Sequence, residues 1–112
     1  MDRFKFRAWD KEENGMSKPF TINELALTTA IPKYVIDNYI IMQYTGLKDS
    51  AGVEIYEGDI LRWVSIVYPI TVNEFHGYRF MYGKDELSKS YAEYGIIIGN
   101  IYENPELLEA NK

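Results

Sequence analysis

The residues able to do chemistry are few. His76 is the only histidine and there is no cysteine. A Ser–His–Asp triad would have to be built on His76, while a thiolate nucleophile, a Cys-ligated metal and a His-rich metal site are out of reach. Asn73-Glu74-Phe75-His76-Gly77 reads as a hairpin tip, and no serine stands in a Gly-x-Ser-x-Gly context, so His76 is expected to be an exposed turn residue rather than a general base. Glu54, Glu57 and Asp59 could converge across a bend as an acid–base pair. With 17 acidic residues in 112, however, such a trio arises readily by chance and is expected as solvated turn acids. Asp49 to Glu54 faintly resembles a calcium loop but lacks the alternating Asp/Asn ligands and the distal glutamate. No Gly-x-x-x-x-Gly-Lys-Ser/Thr or Gly-x-Gly-x-x-Gly sequence occurs. The expectation is a non-enzymatic protein with no cofactor and no metal.

Two sets of residues could instead bind. Arg3, Lys5 and Arg7 form a basic run in a chain whose net charge is −5, and acidity is concentrated beyond residue 56, where 5 basic residues face 9 acidic ones. The charge balance opposes a phosphate-backbone binder, so any anion-binding face belongs near this trio. The plainer expectation for the trio is a solvent-facing strand edge that discourages aggregation. Aromatic residues make up 15% of the chain, ten of them tyrosines. Tyr78, Phe80 and Tyr82 share one face of a strand, where they either stack unpaired bases, anchor a protein partner or fill the core.

These residues require a β-rich frame of single-domain size, expected to cover 1–112 with a frayed tail at 109–112. Phe4, Phe6 and Ala8 alternate with Arg3, Lys5 and Arg7 as in a half-buried strand, and Asn14-Gly15 turns the chain. A short helix is expected over about 22–28. Tyr39 to Thr45 forms a buried strand closed by Gly46, Lys48 to Gly52 reverses it, Val53 to Tyr56 runs back, and Glu57-Gly58-Asp59 bends again. Ile60 to Tyr68 reads as one long strand, with Pro69 marking its end or an edge irregularity. Strands at 70–72 and 78–82 flank a turn, residues 84–94 favour a helix of about two turns, and 96–102 form the last strand. Asn104-Pro105 starts a terminal helix with Asn104 as its N-cap. No apolar run approaches a membrane span and Met1 to Arg7 has no signal-peptide core, so a cytoplasmic protein without membrane contact is expected.

Three blocks carry a family resemblance: Lys5-Phe6-Arg7-Ala8-Trp9-Asp10; Met42-Gln43-Tyr44-Thr45-Gly46-Leu47-Lys48-Asp49 with Glu54-Ile55-Tyr56-Glu57-Gly58-Asp59-Ile60; and Ile98-Gly99-Asn100-Ile101-Tyr102-Glu103-Asn104-Pro105-Glu106-Leu107-Leu108. In order and spread, the chain resembles the YopX family of uncharacterised phage and prophage proteins. The resemblance implies a β-rich, SH3-like, partly open small barrel, a setting inside a bacterial host, and no established activity. Trp9, Tyr44, Gly46, Leu47, Gly52, Tyr56, Gly58, Asp59, Gly99, Asn100, Tyr102, Asn104 and Pro105 are the motif residues. They are expected to serve folding, Gly58 taking a positive φ and Asp59 bonding nearby amides. Ser50-Ala51-Gly52-Val53 departs from the more polar turn of relatives but keeps Gly52.

Two functional readings follow. The favoured one is a protein-interaction module with a host or phage partner, or with a second copy of itself. The other is a single-stranded nucleic-acid binder using the basic strand and exposed tyrosines, which requires that Arg3, Lys5 and Arg7 not be neutralised by acids.

Overall fold

The computed structural model describes residues 4–21, 37–74, 77 and 79–109. The strands in chain order are β1 (Lys5–Asp10), β2 (Gly15–Met16), β3 (Phe20–Thr21), β4 (Tyr39–Lys48), β5 (Glu54–Tyr56), β6 (Asp59–Trp63), β7 (Ile66–Asn73), β8 (Arg79–Tyr82), β9 (Asp85–Glu86) and β10 (Gly95–Asn100). Two short helices, α1 (Lys89–Tyr94) and α2 (Glu106–Glu109), are also described. All pairings are antiparallel: one sheet runs β2-β1-β4-β5 with β3 also beside β1, the other β10-β6-β7-β8-β9. The protein is thus mainly β, a curled and partly open barrel. No helix among the described residues is long and apolar enough to cross a membrane.

Sequence chemistry accounts for most of these elements. Asn14, at φ 55, turns β1 into β2 and sets Trp9 opposite Met16. Ser88 caps α1, its hydroxyl accepting the Tyr91 N–H. The main core joins Ile55, Leu61, Ile70, Tyr82, Leu87 and Ala92, with Leu47, Trp63, Phe80, Tyr91 and Ile97 packed against it. Ile55, Ile60, Leu61, Ile70 and Met42 are fully buried, each worth about 1.5–3 kcal/mol of transfer free energy.

The barrel is fastened along one seam by a side chain. Buried Asp49 accepts the N–H groups of Ala51 and Val53 with Oδ1 and that of Ile97 in β10 with Oδ2. Beside it, Ser50 donates its N–H to the Gly95 carbonyl. Asp49 therefore holds the β4–β5 hairpin against the edge of β10, where an unpaired strand edge would otherwise invite association.

Several expectations need correction. The long strand over 60–68 is two strands joined at Val64–Ser65, with Trp63 opposite Ile66. Val64 has φ 58, a conformation its β-branched side chain disfavours, so the residue types gave no turn signal there. Pro69 neither ends a strand nor lies on an edge strand. It sits within β7 opposite Ile60, one residue past the last β7–β8 pair, Ile70–Tyr82, where β8 no longer needs its missing N–H. Gly46, at φ 87, does not close β4 but lies in a register shift between Tyr44 and Lys48. The start of the helix expected over 84–94 is taken by β9, because Asp85 and Glu86 pair with Tyr82 and Met81. Strand β10 begins at Gly95 and stops at Asn100, where Ile101 to Glu103 form a turn. The helix expected over 22–28 lies outside the described residues.

Relieving the backbone at Val64 tests this account. Val64→Gly is expected to stabilise the protein by about 1 kcal/mol in denaturant titration, because a left-handed conformation costs L side chains roughly that much.

Candidate functional site

Strand β1 lies inside its sheet, flanked by β2 and β3 on one side and β4 on the other. Lys5, Arg7 and Trp9 share the face opposite Phe4, Phe6 and Ala8. That face is not a solvent-facing edge, which corrects the plainer expectation for the basic run. Arg7 Nη2 donates to Asp59 Oδ1 at 2.5 Å, and the two side chains are only 13% and 3% exposed. The Arg7 guanidinium lies 4.7 Å from the Tyr56 ring centre, while its buried Nε has no hydrogen-bond partner. One turn of the pleat away, Lys5 Nζ meets Glu54 Oε2 at 2.6 Å and lies 5.4 Å from the Tyr44 ring centre. Tyr44 and Tyr56 pack at 5.5 Å, and Trp9 stacks on Tyr102 at 5.6 Å. Arg3 lies outside the described residues.

Trp9, Tyr44, Tyr56, Asp59 and Tyr102 of the motif thus gather with Lys5 and Arg7 in one polar-aromatic cluster. Asp59 also accepts the Tyr56 N–H at 2.7 Å through Oδ2, closing the bend at Gly58. Gly58 has φ 89 and is pressed on by Met42 and Tyr102, so a side chain there is both strained and crowded. Its carbonyl accepts the Ile101 N–H, and its N–H donates to the Ile70 carbonyl. Asn100 Oδ1 accepts the N–H groups of Tyr102 and Glu103. Asn104 Oδ1 accepts the Asn100 N–H rather than capping α2, which corrects the expectation for that residue. Gly99 leaves room for this contact: a Cβ there would lie 2.5 Å from Asn104 Oδ1. Pro105 stands just before α2, and Gly52, at φ 81, completes the turn held by Asp49.

Burial dominates the electrostatics. It pushes the Asp59 carboxyl above its ordinary range, and the Arg7 charge and the Tyr56 amide pull it only part of the way back. Burial also raises Glu57, with the nearby Glu74 charge adding to the effect and a backbone bond from Gln43 opposing it. The hydroxyl of Tyr56 is raised by burial and by Glu54, and that of Tyr102 by burial and by Glu57. The acidic trio therefore serves different partners: Glu54 meets Lys5 and the Tyr56 hydroxyl, Asp59 meets Arg7, and Glu57 stands near Glu74 and Tyr102.

The described part of the aromatic stripe, Phe80 and Tyr82, packs inward. The Tyr82 hydroxyl lies 2.8 and 2.9 Å from the Leu61 and Ile66 carbonyl oxygens, and Phe80 packs against the core. Tyr78 and His76 lie outside the described residues. Sequence reasoning missed a different aromatic group, in which the rings of Trp63, Tyr91, Tyr82 and Tyr68 pack in succession at 5.0, 5.0 and 5.4 Å. It also missed Asp49 as a fastening. The contact that does the fastening, from the Ile97 N–H, spans 48 residues and leaves no local pattern, and the only hint was a short Asp before a Gly-containing turn.

Two outcomes follow. Arg7→Ala is expected to cost about 3–5 kcal/mol because Asp59 is left buried and uncompensated, whereas Arg7→Met combined with Asp59→Leu should cost much less than the sum of its single changes in a double-mutant cycle. Glu57 has a folded-state pKa raised above 4.5, so its contribution to stability is present at acid pH and is lost as pH rises through the raised value. Glu57→Gln should therefore raise the melting temperature at neutral pH, with the gain disappearing below the ordinary carboxylate range.

Residues 5–109 match the sequence model of the family described as YopX protein. A similar solved structure is the crystal structure of protein EF1440 from Enterococcus faecalis, 30% identical over 93% of this chain and 96% of that one, with a TM-score of 0.60. No curated protein matches the chain. With the family match spanning nearly the whole sequence, the chain belongs to the YopX family.

Proposed function

We propose that this chain is a non-enzymatic protein-interaction module of a phage or prophage, acting inside the bacterial host. The observation that carries the reading is an apolar end of the second sheet. Val64, Ile66 and Tyr68 are 75%, 39% and 45% exposed, and the packed rings of Trp63, Tyr91 and Tyr82 adjoin them. Val64 stands at the tip in a strained backbone conformation. Exposed apolar side chains on a firm aromatic support, with strain retained at their apex, suit a contact surface for another protein.

The nucleic-acid reading loses its footing on two counts. Lys5 and Arg7 are matched by Glu54 and Asp59, so their charge is not available as a patch. Phe80 and Tyr82 are turned into the core rather than offered to bases.

Affinity capture from lysate of a host carrying the phage, paired with solution mass, tests the proposal. The wild type is expected to retain a specific partner or to self-associate, and Tyr68→Ser with Ile66→Ser to lose it about tenfold while staying folded. A strict monomer that retains nothing overturns the reading. Binding to labelled single-stranded DNA that falls as salt rises would replace it with the nucleic-acid one.

A further inference from the structure

Five of the eight large apolar side chains that stand exposed among the described residues lie at one end of the second sheet. Strand pairing puts Gly95, Trp63 and Ile66 in one row across β10, β6 and β7, and Ile96, Arg62 and Val67 in the next. Val64 turns the chain just beyond the first row, and Tyr94, the last residue of α1, leads into it. Tyr94 and Ile96, 75% and 36% exposed, therefore widen the apolar end of Val64, Ile66 and Tyr68 across all three strands. With a whole aromatic side chain offering about 150–250 Å², the five together present on the order of 500 Å². Two such ends placed face to face would bury about 1,000 Å², the lower bound for a specific interface.

The charges around this end suit a second copy. Arg62 stands beside Ile96, Glu93 beside Tyr94, and Lys84 and Asp85 follow the Gly83 that Tyr68 packs on, all four exposed. Two of each sign balance, although the chain carries −5. The excess acid lies elsewhere: Glu57 precedes β6, Glu74 follows β7, and Glu103, Glu106 and Glu109 follow β10. Those strands run five to eight residues, which sets these acids roughly 15–25 Å from the apolar end. The screening length at physiological salt is about 8 Å, so the acidic far ends of two paired copies barely repel. A nucleic acid or an anionic membrane finds no excess of positive charge here to hold it.

We infer that the apolar end pairs with the same end of a second copy of this chain about a two-fold axis. The inference rests on the protein-interaction reading and names the partner for that surface. A two-fold contact must be self-complementary, each flank of the patch meeting the opposite flank of its mate. Arg62 alternates with Leu61 and Trp63, which face the core, and so stands on the outer flank, with no ion pair among the described residues. Glu93 stands on the other flank, on α1, whose Tyr91 and Ala92 pack on the core side. Its contact with Lys89 is loose, 3.6 Å between largely exposed groups, and little is lost in exchanging it. The two-fold rotation brings Arg62 of each copy to Glu93 of the other, with the apolar side chains between them.

Sedimentation equilibrium of the purified chain over a concentration series tests the inference. The wild type is expected to pass from monomer to dimer in the micromolar range, in keeping with so small an interface. Val64→Asn with Tyr94→Ser should weaken the dimer about tenfold while circular dichroism stays unchanged, since both side chains are exposed and Asn accepts a positive φ. Arg62→Glu and Glu93→Arg should each weaken it about tenfold alone, and mixing the two variants should restore it, because one contact is then reversed in sign and the other is native. A wild type that stays monomeric at high concentration overturns the pairing. So does a dimer indifferent to the Val64 and Tyr94 changes, or a pair of charge variants that mixing does not rescue. In each of these cases a partner captured from lysate, and lost with Tyr68→Ser and Ile66→Ser, leaves the protein-interaction reading standing.

Discussion

Arg7 and Asp59 stand 52 residues apart, and their contact joins an interior strand of one sheet to the first residue of β6 in the other. Few positions satisfy both partners. The guanidinium must lie over Tyr56 while reaching Asp59, and Asp59 must also receive the Tyr56 amide across the bend at Gly58. Sliding β1 by one residue would turn Arg7 to the other face and leave a buried carboxylate unpaired, which costs several kcal/mol. Burial outweighs the attraction of Arg7 at Asp59, so the pair constrains register more than it adds net stability.

Around this pair the motif residues divide the work of closing a small barrel. Trp9, Tyr44, Tyr56 and Tyr102 supply ring packing where the two sheets meet. Asp49 fastens β4–β5 to β10, while Asn104 occupies the Asn100 N–H at the end of β10. These contacts use polar side chains where a larger barrel would use a strand ladder, and they block an edge that could otherwise recruit another chain. The apolar end at Val64, Ile66 and Tyr68 stays exposed beyond these fastenings.

Of the described residues that looked most suited to binding, Arg7 and Tyr82 are nearly buried and Lys5 and Phe80 half-buried. Lys5 and Arg7 alternate along β1 as exposed charges would, and nothing in that local pattern names Glu54 and Asp59 as partners. The strand Tyr78 to Tyr82 carried both an aromatic and a mixed face, and only its pairing with β7 sends Phe80 and Tyr82 into the core. Conversely, the apolar run from Ile60 to Tyr68 read as one long strand buried on much of both faces. The turn at Val64 breaks it, leaving Val64, Ile66 and Tyr68 at the surface. That turn relies on a strained valine, so residue preferences pointed away from it.

By itself the sequence determined the β-rich class, the Asn14, Gly52 and Gly58 turns, the capacity of the Tyr39 and Gly95 regions to form strands, and the family. Each of these depends on local period, on backbone freedom at a few positions, or on an ordered set of motif residues. Tertiary structure alone decided which face of β1 is buried, where the charges of Lys5 and Arg7 are spent, and which aromatic rings reach the surface. Those outcomes depend on desolvation and on partners dozens of residues away, whose effect exists only once the two sheets have met.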